Sequence, residues 1–247
     1  MELNLIAQDV TQYGHDLYGG LALSRLLKEL DKVDGLRWIR LMYAYPSRLT
    51  DELIDTMASL EHVVSYVDIP LQHSHPDVLR RMNRPGNGEQ YLKLFEKLRK
   101  AMPGIAIRSA FIVGFPGESE EEFKHLAVFL REAKLDRVGT FIYSRESGTP
   151  SFDMPMQVSF KNKRLRQDVI MRQQQAISLA INESWVSKKI EVLVEGFEDG
   201  WSFGRSYRDA PEVDGLVYMK GRQPAGEIVT CKVERAEPYD LYGHKCR

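Results

Sequence analysis

The sequence predicts an α/β protein in which a parallel β/α unit is followed by a small all-β barrel. Three observations predict this fold class. Short β-branched or aromatic runs alternate with segments of helical periodicity over roughly the first 150 residues. One long helical segment follows, and from about Ser184 strands and turns alternate without helices. A chain of 247 residues is long enough to bury a core in one large and one small domain.

Five runs in the first part are typical of buried strands: residues 3–7, 38–43, 63–69, 105–113 and 137–143. Four segments between them carry apolar residues at helical spacing: residues 21–30, 49–60, 92–102 and 123–130. Ser119 followed by Glu122 is a capping box, which predicts the start of the last of these helices. Alternation of this kind predicts a parallel sheet, either open or closed into a barrel.

The last part of the chain has the pattern of a small five-stranded barrel. Strand patterns at residues 189–194, 201–207, 216–219 and 227–233 are separated by short turn sequences. We therefore expect a β/α domain over residues 1–158, a connecting helix over 159–183 and a β-barrel over 184–247.

The charge balance argues against a general polyanion-binding surface. The 34 Lys and Arg nearly cancel the 35 Asp and Glu, which gives a formal net charge of -1. The last part, residues 184–247, carries ten Lys and Arg against eleven Asp and Glu. A domain that holds RNA is expected to have a basic face with interleaved aromatic residues. The aromatic residues are present without the basic excess, so the balance favours a protein partner, of basic character, over nucleic acid.

Two features of the sequence predict a cytoplasmic protein. Its apolar runs are short and interrupted by charges, so no transmembrane helix is expected, and the polar start is not a signal peptide. The two cysteines, Cys231 and Cys246, cannot form a disulfide framework, which favours a reducing compartment.

Polar segments follow four of the predicted strands, at residues 8–12, 72–75, 114–118 and 143–149. In parallel β/α proteins, functional groups cluster just after the C-terminal ends of the strands. One polar loop is ordinary, but four at one edge predict a ligand site there. The segment at residues 114–118, hereafter the glycine loop, has two glycines that would let backbone amides approach a ligand. The same residues are also typical of a tight turn before a capped helix.

The histidines and cysteines allow different interpretations. His73, His75 and Asp77 lie within five residues and could ligate a metal, or they could form a polar loop that caps a helix starting near Pro76. Cys231 and Cys246 are too far apart in sequence for an iron–sulfur motif. No metal ligand is predicted from this sequence.

Several segments together resemble the later part of a radical S-adenosylmethionine methylthiotransferase. They are residues 7–14 (AQDVTQYG), 68–73 (DIPLQH), 111–118 (FIVGFPGE), 143–144 with 148–149 (YS and GT), 210–215 (APEVDG) and 239–243 (YDLYG). The last two segments are similar to the type that modifies an aspartate of a small-subunit ribosomal protein, and they separate it from tRNA-modifying relatives. The resemblance implies an incomplete radical-SAM β/α barrel with five of six strands and a C-terminal TRAM barrel of OB-like fold.

The resemblance also implies which residues hold S-adenosylmethionine. Gln8 and Asp9 would hold the methionine amino group. The residues that would line the adenine and methionine portions are Gly114, Phe115, Pro116, Gly117 and Glu118. The resemblance places four further side chains in the same cavity: Gln72, Arg108, Tyr143 and Ser144. His75 stands where relatives usually have serine, and no catalytic residue is predicted.

The family implied by the resemblance uses two 4Fe-4S clusters, one of which reductively cleaves S-adenosylmethionine to a radical. The sequence contains neither set of ligand cysteines. We therefore expect the C-terminal part of a longer enzyme, inactive by itself, with an exposed sheet edge and with the N-terminal half and a small-subunit ribosomal protein as partners. The ribosomal protein would bind to the C-terminal barrel. Two alternatives remain: part of a tRNA methylthiotransferase, and a non-catalytic module that only docks the substrate.

Overall fold

Five parallel strands form the sheet of the first part of the chain. In the computed structural model, which describes residues 1–246, the strands are β1 (Glu2–Leu5), β2 (Trp38–Leu41), β3 (Val63–Asp68), β4 (Ala106–Val113) and β5 (Arg137–Ile142). They lie in the order β1-β2-β3-β4-β5, so the sheet is open and β1 and β5 are its edges. All five predicted strands are confirmed, with ends that differ by one or two residues. The incomplete parallel barrel is thus confirmed.

Helices connect the strands and cover one face of the sheet. They are α1 (His15–Tyr18), α2 (Leu23–Leu30), α3 (Asp51–Ser59), α4 (Pro76–Arg81), α5 (Gly88–Ala101), α6 (Glu120–Ala133) and α7 (Phe160–Glu183). The predicted capping box is confirmed, because Ser119 and Glu122 each accept from the other's backbone N–H at the start of α6. No helix within residues 1–246 is both long enough and apolar enough to cross a membrane.

The two faces of the sheet have different environments because successive side chains of a strand point to opposite sides. On β4, Ile107, Phe111 and Val113 are fully buried in the main core with the helices. Arg108 and Ile112 belong to the opposite, inner face and line cavities. The inner face is therefore where charged side chains and a ligand can be accommodated.

The second part of the chain is a closed barrel of five strands. These are β6 (Lys189–Glu198), β7 (Trp201–Ser206), β8 (Val217–Lys220), β9 (Ile228–Ala236) and β10 (Leu241–Lys245). The strand β10 falls in a segment for which the alternation predicts no strand, because its pattern is interrupted by Gly243 and His244. Cys231 is fully buried in the barrel core, as its place in a strand pattern predicts.

The loop between β7 and β8 packs against the inner face of the sheet through buried ion pairs. Arg137 Nη2 of β5 lies 2.6 Å from Asp209 Oδ1, and both side chains are buried. Arg108 lies between two carboxylates, at 3.0 Å from Asp68 and 3.4 Å from Asp214. Two arginines of the sheet, Arg108 and Arg137, are thus paired with carboxylates of this loop.

A second group of ionic contacts joins the barrel to the other edge of the sheet. Glu2 Oε2 lies 2.7 Å from Arg205 Nη2, and Glu2 Oε1 accepts from Arg40 Nε at 2.9 Å. Arg40 is fully buried, and its Nη1 donates to the backbone carbonyl of Tyr207 at 2.6 Å. The hydrogen bonds that satisfy a fully buried arginine are what makes its burial tolerable.

Candidate functional site

The C-terminal ends of β3, β4 and β5 surround a cavity of about 630 Å³, hereafter the rim cavity. Its walls include four of the predicted site residues, Gln72, Phe115, Tyr143 and Ser144. A cavity of this size is within the range that encloses a small-molecule ligand. The predicted ligand site at this edge of the sheet therefore coincides with a real cavity.

Gln72 has an unusual backbone conformation at the floor of the rim cavity. Its φ is +70°, in the left-handed region that a residue with a Cβ adopts at a cost of about 1–2 kcal/mol. Two hydrogen bonds to β4 hold it there, because its N–H donates to Ala110 O and its carbonyl accepts from Ile112 N, both at 2.8 Å. Backbone strain of this kind is common at ligand sites.

The glycine loop reaches the rim cavity through Phe115, whereas Gly114, Pro116, Gly117 and Glu118 are not among the lining residues, and Glu118 closes the loop. Gly114 and Gly117 have φ values of +73° and +75°, which explains why glycine is required at both positions. Glu118 Oε2 accepts hydrogen bonds from the backbone N–H of Gly114 and, at 3.1 Å, of Phe115. Burial raises the pKa of Glu118 to about 7, against the opposing effects of Arg166 and of these two N–H groups. The loop is thus held by a carboxyl group that titrates near neutral pH.

The connecting helix α7 supports the glycine loop from behind. Lys163 Nζ donates to the carbonyl of Tyr143 at 2.9 Å, and its stem packs directly against Gly114. Arg166 Nη1 donates to the carbonyl of Glu118 at 3.0 Å and lies 3.1 Å from Glu118 Oε1. Two cationic side chains of one helix therefore fix the two walls of the rim cavity relative to each other.

Tyr143 and Ser144, which follow β5, also line the rim cavity. The Tyr143 ring packs edge-on against Phe115, with 5.1 Å between the ring centroids. The Tyr143 hydroxyl is buried and has no hydrogen-bond partner among residues 1–246. A buried hydroxyl without a partner is costly, so a bound ligand or ordered water is expected to complete it.

Asp9 lies at the same edge of the sheet, after β1. Its carboxylate is paired with Arg48 and accepts from the backbone N–H of Thr11 at 3.0 Å. A second cavity, of about 430 Å³, lies beside Tyr45 and shares Arg84 with the rim cavity. Neither Asp9 nor Gln8 is among the residues that line the rim cavity. The structure therefore places them on the same rim without bringing them to its wall.

Arg108 is not brought to the rim cavity. It is the third residue of β4, about 13 Å along the strand from Ile112 at the rim, at about 3.3 Å per residue. Its guanidinium is bound by Asp68 and Asp214 and lines a separate cavity of about 420 Å³ next to the barrel. Strand alternation places Arg108 and Ile112 on the same face of the sheet. Only Ile112 lies near the C-terminal end of β4, so only Ile112 reaches the rim cavity.

Histidine 75 acts as a helix cap, which supports the capping interpretation of this segment. His75 Nδ1 accepts from the backbone N–H of Asp77 at 3.2 Å, at the start of α4. His73 is fully buried, and burial lowers its pKa to about 3. His75, Asp77 and Glu122 have potential ligand atoms within 4.8 Å of one another, but His75 Nδ1 already accepts a backbone bond. Glu122 in turn binds Arg81 at 2.8 Å.

Two family models match this chain, one on each part of the fold. The Radical SAM superfamily model matches residues 9–130, and the TRAM domain model matches residues 186–245. Residues 9–130 are thus similar to the radical SAM superfamily, and residues 186–245 to TRAM domains. The matched range contains Asp9, Gln72 and the glycine loop, and the TRAM match covers nearly all of the closed barrel.

Curated relatives match the chain over almost its whole length. "Ribosomal protein uS12 methylthiotransferase RimO" of Thermoanaerobacter sp. (strain X514) is 50% identical over 98% of this chain and 56% of the relative. The protein of the same name from Moorella thermoacetica is 50% identical over 98% of this chain and 55% of the relative. The chain thus spans about half the length of the curated relatives that it matches. Among solved structures, coproporphyrinogen III oxidase (HemN) from Escherichia coli covers 65% of this chain and 37% of that one, with 17% identity and a TM-score of 0.46.

S-adenosylmethionine, which the superfamily implies, fits the rim cavity. The cavity offers apolar side chains for an adenine ring, the unpartnered Tyr143 hydroxyl, and polar groups at Gln72 and Ser144. Arg81 and Arg84 also line it and could bind a carboxylate.

An iron–sulfur cluster does not fit the thiols of the described residues. Cys231 is fully buried in the barrel core, and burial raises its pKa to about 12, which disfavours the exposed thiolate that a cluster site needs. Cys246 follows β10 on the same barrel. Both cysteines therefore belong to the barrel and not to the rim.

Some residues of the site have no counterpart among the predicted ones. Those on the rim cavity are Arg81, Met82, Asn83, Arg84, Ile112, Phe141, Ile142, Pro150, Ser151 and Met154. Asn83, which has φ +55°, precedes Pro85 by two residues. This pair marks the end of α4 in the sequence but does not show that Arg81 and Arg84 reach the rim. Nothing in the periodicity of α7 marks Lys163 and Arg166, because a charged residue on a helix is usually solvent-exposed.

Proposed function

We propose that this chain is the S-adenosylmethionine-binding and substrate-docking part of a methylthiotransferase that modifies an aspartate of a small-subunit ribosomal protein. The observation that carries the proposal is the 50% identity to a uS12 methylthiotransferase over 98% of this chain. That similarity extends over both the rim loops and the barrel. A relative with a different substrate would be expected to differ most in its substrate-binding part.

In this proposal S-adenosylmethionine would occupy the rim cavity. Separate molecules would supply a methyl group and, on one-electron reduction by a cluster held elsewhere, a radical. Gln72, Tyr143 and Ser144 bind its polar groups, and Phe115 packs against its adenosine part. The rest of the glycine loop, Gly114, Pro116, Gly117 and Glu118, holds Phe115 in place through the hydrogen bonds to Glu118. Gln8 and Asp9 complete the rim on the β1 side. Arg108 is left out of this set because Asp68 and Asp214 bind its guanidinium.

The 4Fe-4S clusters that the family requires must be ligated by residues other than Cys231 and Cys246. We propose that an N-terminal region of the kind present in the longer relatives supplies them. The reducing cytoplasm expected from the two cysteines is consistent with such clusters.

We further propose that the ribosomal protein binds to the C-terminal barrel. Ribosomal proteins are basic, and the balanced charge of the barrel leaves carboxylates available to them. The same balance disfavours tRNA, because a tRNA-binding barrel would need a basic excess.

To test this proposal, the complete reading frame that contains this chain is expressed in a strain that lacks its own uS12 methylthiotransferase. Intact-mass spectrometry of uS12 is expected to show the gain of one methylthio group, and tandem spectrometry is expected to place it on an aspartate. A matched Gln72→Ala variant is expected to reduce the modified fraction without loss of soluble protein.

Methylthio groups in tRNA with unmodified uS12 would instead support the tRNA alternative. Binding of uS12 without any modification, from a complete and cluster-loaded protein, would support the docking-module alternative.

A further inference from the structure

The C-terminal barrel has an aromatic cleft on its outer surface. It encloses about 370 Å³ and is lined by Glu198, Asp199, Trp201, Phe203, Leu216, Tyr218 and Tyr242. The four aromatic side chains come from β7, β8 and β10 and are half-buried, so they are not part of the barrel core. A clustered aromatic surface of this kind is characteristic of an interaction site.

The rings of the aromatic cleft already form one cation–π stack. Tyr218 and Tyr242 are stacked, with 5.0 Å between centroids and 15° between planes. The guanidinium carbon of Arg235 lies 3.7 Å from the centroid of the Tyr242 ring. Trp201 meets Tyr242 edge-on at 6.0 Å. A guanidinium of this chain thus occupies one end of the stack, and Tyr218 and Trp201 line the open cleft.

The surroundings of the stack are acidic. Arg235 is neutralised by its ion pair with Glu237. Burial first, and then the nearby carboxylates of Asp240, Glu198 and Glu237, raise the pKa of Tyr218. Glu198 and Asp199 line the cleft and form no ion pair within residues 1–246. The cleft therefore combines aromatic faces with unneutralised carboxylates at its mouth.

We propose that the aromatic cleft binds an arginine side chain of a protein partner. A guanidinium would stack on Tyr218 and Trp201 and form charge-assisted hydrogen bonds with Glu198 or Asp199. This proposal rests on the proposed function in one respect, namely that the partner is the protein substrate. RNA bases also stack on aromatic rings, but their phosphates would lie beside these carboxylates and be repelled.

The test measures binding of a fluorescently labelled glycine–serine peptide with three arginines to the full 247-residue chain by anisotropy. The comparison ligands are the same peptide with citrulline, the same peptide with lysine, and an oligouridylate of similar length. Citrulline keeps the shape of arginine and removes its charge. We expect the arginine peptide to bind about tenfold or more tightly than the citrulline peptide, and more tightly than the lysine peptide, at about 0.15 M salt.

Two variants localise the binding to the cleft. Tyr218→Leu removes the ring and is expected to weaken arginine binding about five- to tenfold. Glu198→Gln combined with Asp199→Asn changes only exposed carboxylates and is expected to weaken it about fivefold. The matched control, Glu191→Gln with Glu227→Gln, removes the same charge elsewhere on the barrel and is expected to leave binding within twofold.

Equal binding of arginine and citrulline peptides would overturn the proposal, as would equal losses in the cleft variant and in its charge-matched control. Tighter binding of oligouridylate would overturn it in favour of RNA. The test is separate from that of the methylthiotransferase activity, since arginine binding by the cleft with unmodified uS12 contradicts only the proposed function. Modification of uS12 by an enzyme whose cleft does not bind arginine contradicts only the present inference.

Discussion

Replacing Gly114 by alanine tests whether the glycine loop is held against α7. At φ +73°, a residue with a Cβ costs about 1–2 kcal/mol relative to glycine. The added Cβ would lie 2.3 Å from Lys163 Cγ and 3.2 Å from its Cβ and Cδ. Forcing a methyl group into such a packed site costs about 1–3 kcal/mol more. We therefore expect the free energy of unfolding to fall by about 2–5 kcal/mol.

Gly148 provides a matched control for the backbone contribution. Its φ is +80°, and within residues 1–246 no other atom lies within 4 Å of an added Cβ. Gly148→Ala should therefore cost only the conformational part, about 1–2 kcal/mol. Both variants are measured by urea unfolding, followed by tryptophan fluorescence and by far-UV circular dichroism.

Lys163→Ala supplies the second half of a double-mutant cycle. With the lysine stem removed, Gly114→Ala is expected to cost about 1–3 kcal/mol less than it does in the wild type. Equal losses for Gly114→Ala and Gly148→Ala, with no coupling to Lys163, would refute the conclusion that α7 supports the loop.

Three further predictions concern the Glu118 carboxyl group, the buried ion pair and the cofactor site. Burial raises the pKa of Glu118 from 4.5 to about 7, so the folded state binds the proton more tightly than the unfolded state does. As the pH rises from 4.5 to 7.5, the wild type should therefore lose roughly 3 kcal/mol of stability relative to Glu118→Gln. Urea titrations at pH 4.5 and 7.5 measure this loss, and a pH-independent difference would contradict it. Asp209→Ala leaves the Arg137 guanidinium buried without its partner and should cost about 3–5 kcal/mol by urea unfolding, whereas replacement of both residues by apolar ones should restore most of that stability. In calorimetric titrations with S-adenosylmethionine, Gln72→Ala should weaken binding about fivefold or more, whereas Arg108→Lys should change the affinity by no more than about twofold. A larger loss for Arg108→Lys than for Gln72→Ala would show that Arg108 belongs to the cofactor site.

The fold could be predicted from the sequence because each element has a local signal. The five parallel strands are short β-branched runs, and α6 begins at a capping box that contains Ser119 and Glu122. The missed strand β10 is short, contains Gly243, and exists because the barrel closes around it. Its pairing with β8 and β9 is a tertiary effect that no window of the sequence shows.

The site was only partly predictable because sequence gives a residue's strand and face but not its depth or its partner. Gln72 and Tyr143 follow their strands directly and do line the rim cavity. Arg108 shares their face but lies deeper, where Asp214 arrives from more than 100 residues further along the chain. Lys163 was missed for a similar reason, because its contact with Gly114 joins two distant segments.

The buried ion pairs between sheet and barrel restrict how such proteins can evolve. Arg137 and Asp209 belong to different parts of the chain, and loss of either would leave the other charge buried without its partner. A barrel transferred from a relative would bring carboxylates or arginines that do not match those on the strands. Substitutions at this interface should therefore occur in pairs, and a transplanted barrel should require matching changes at Arg40, Arg108 and Arg137 before the hybrid folds.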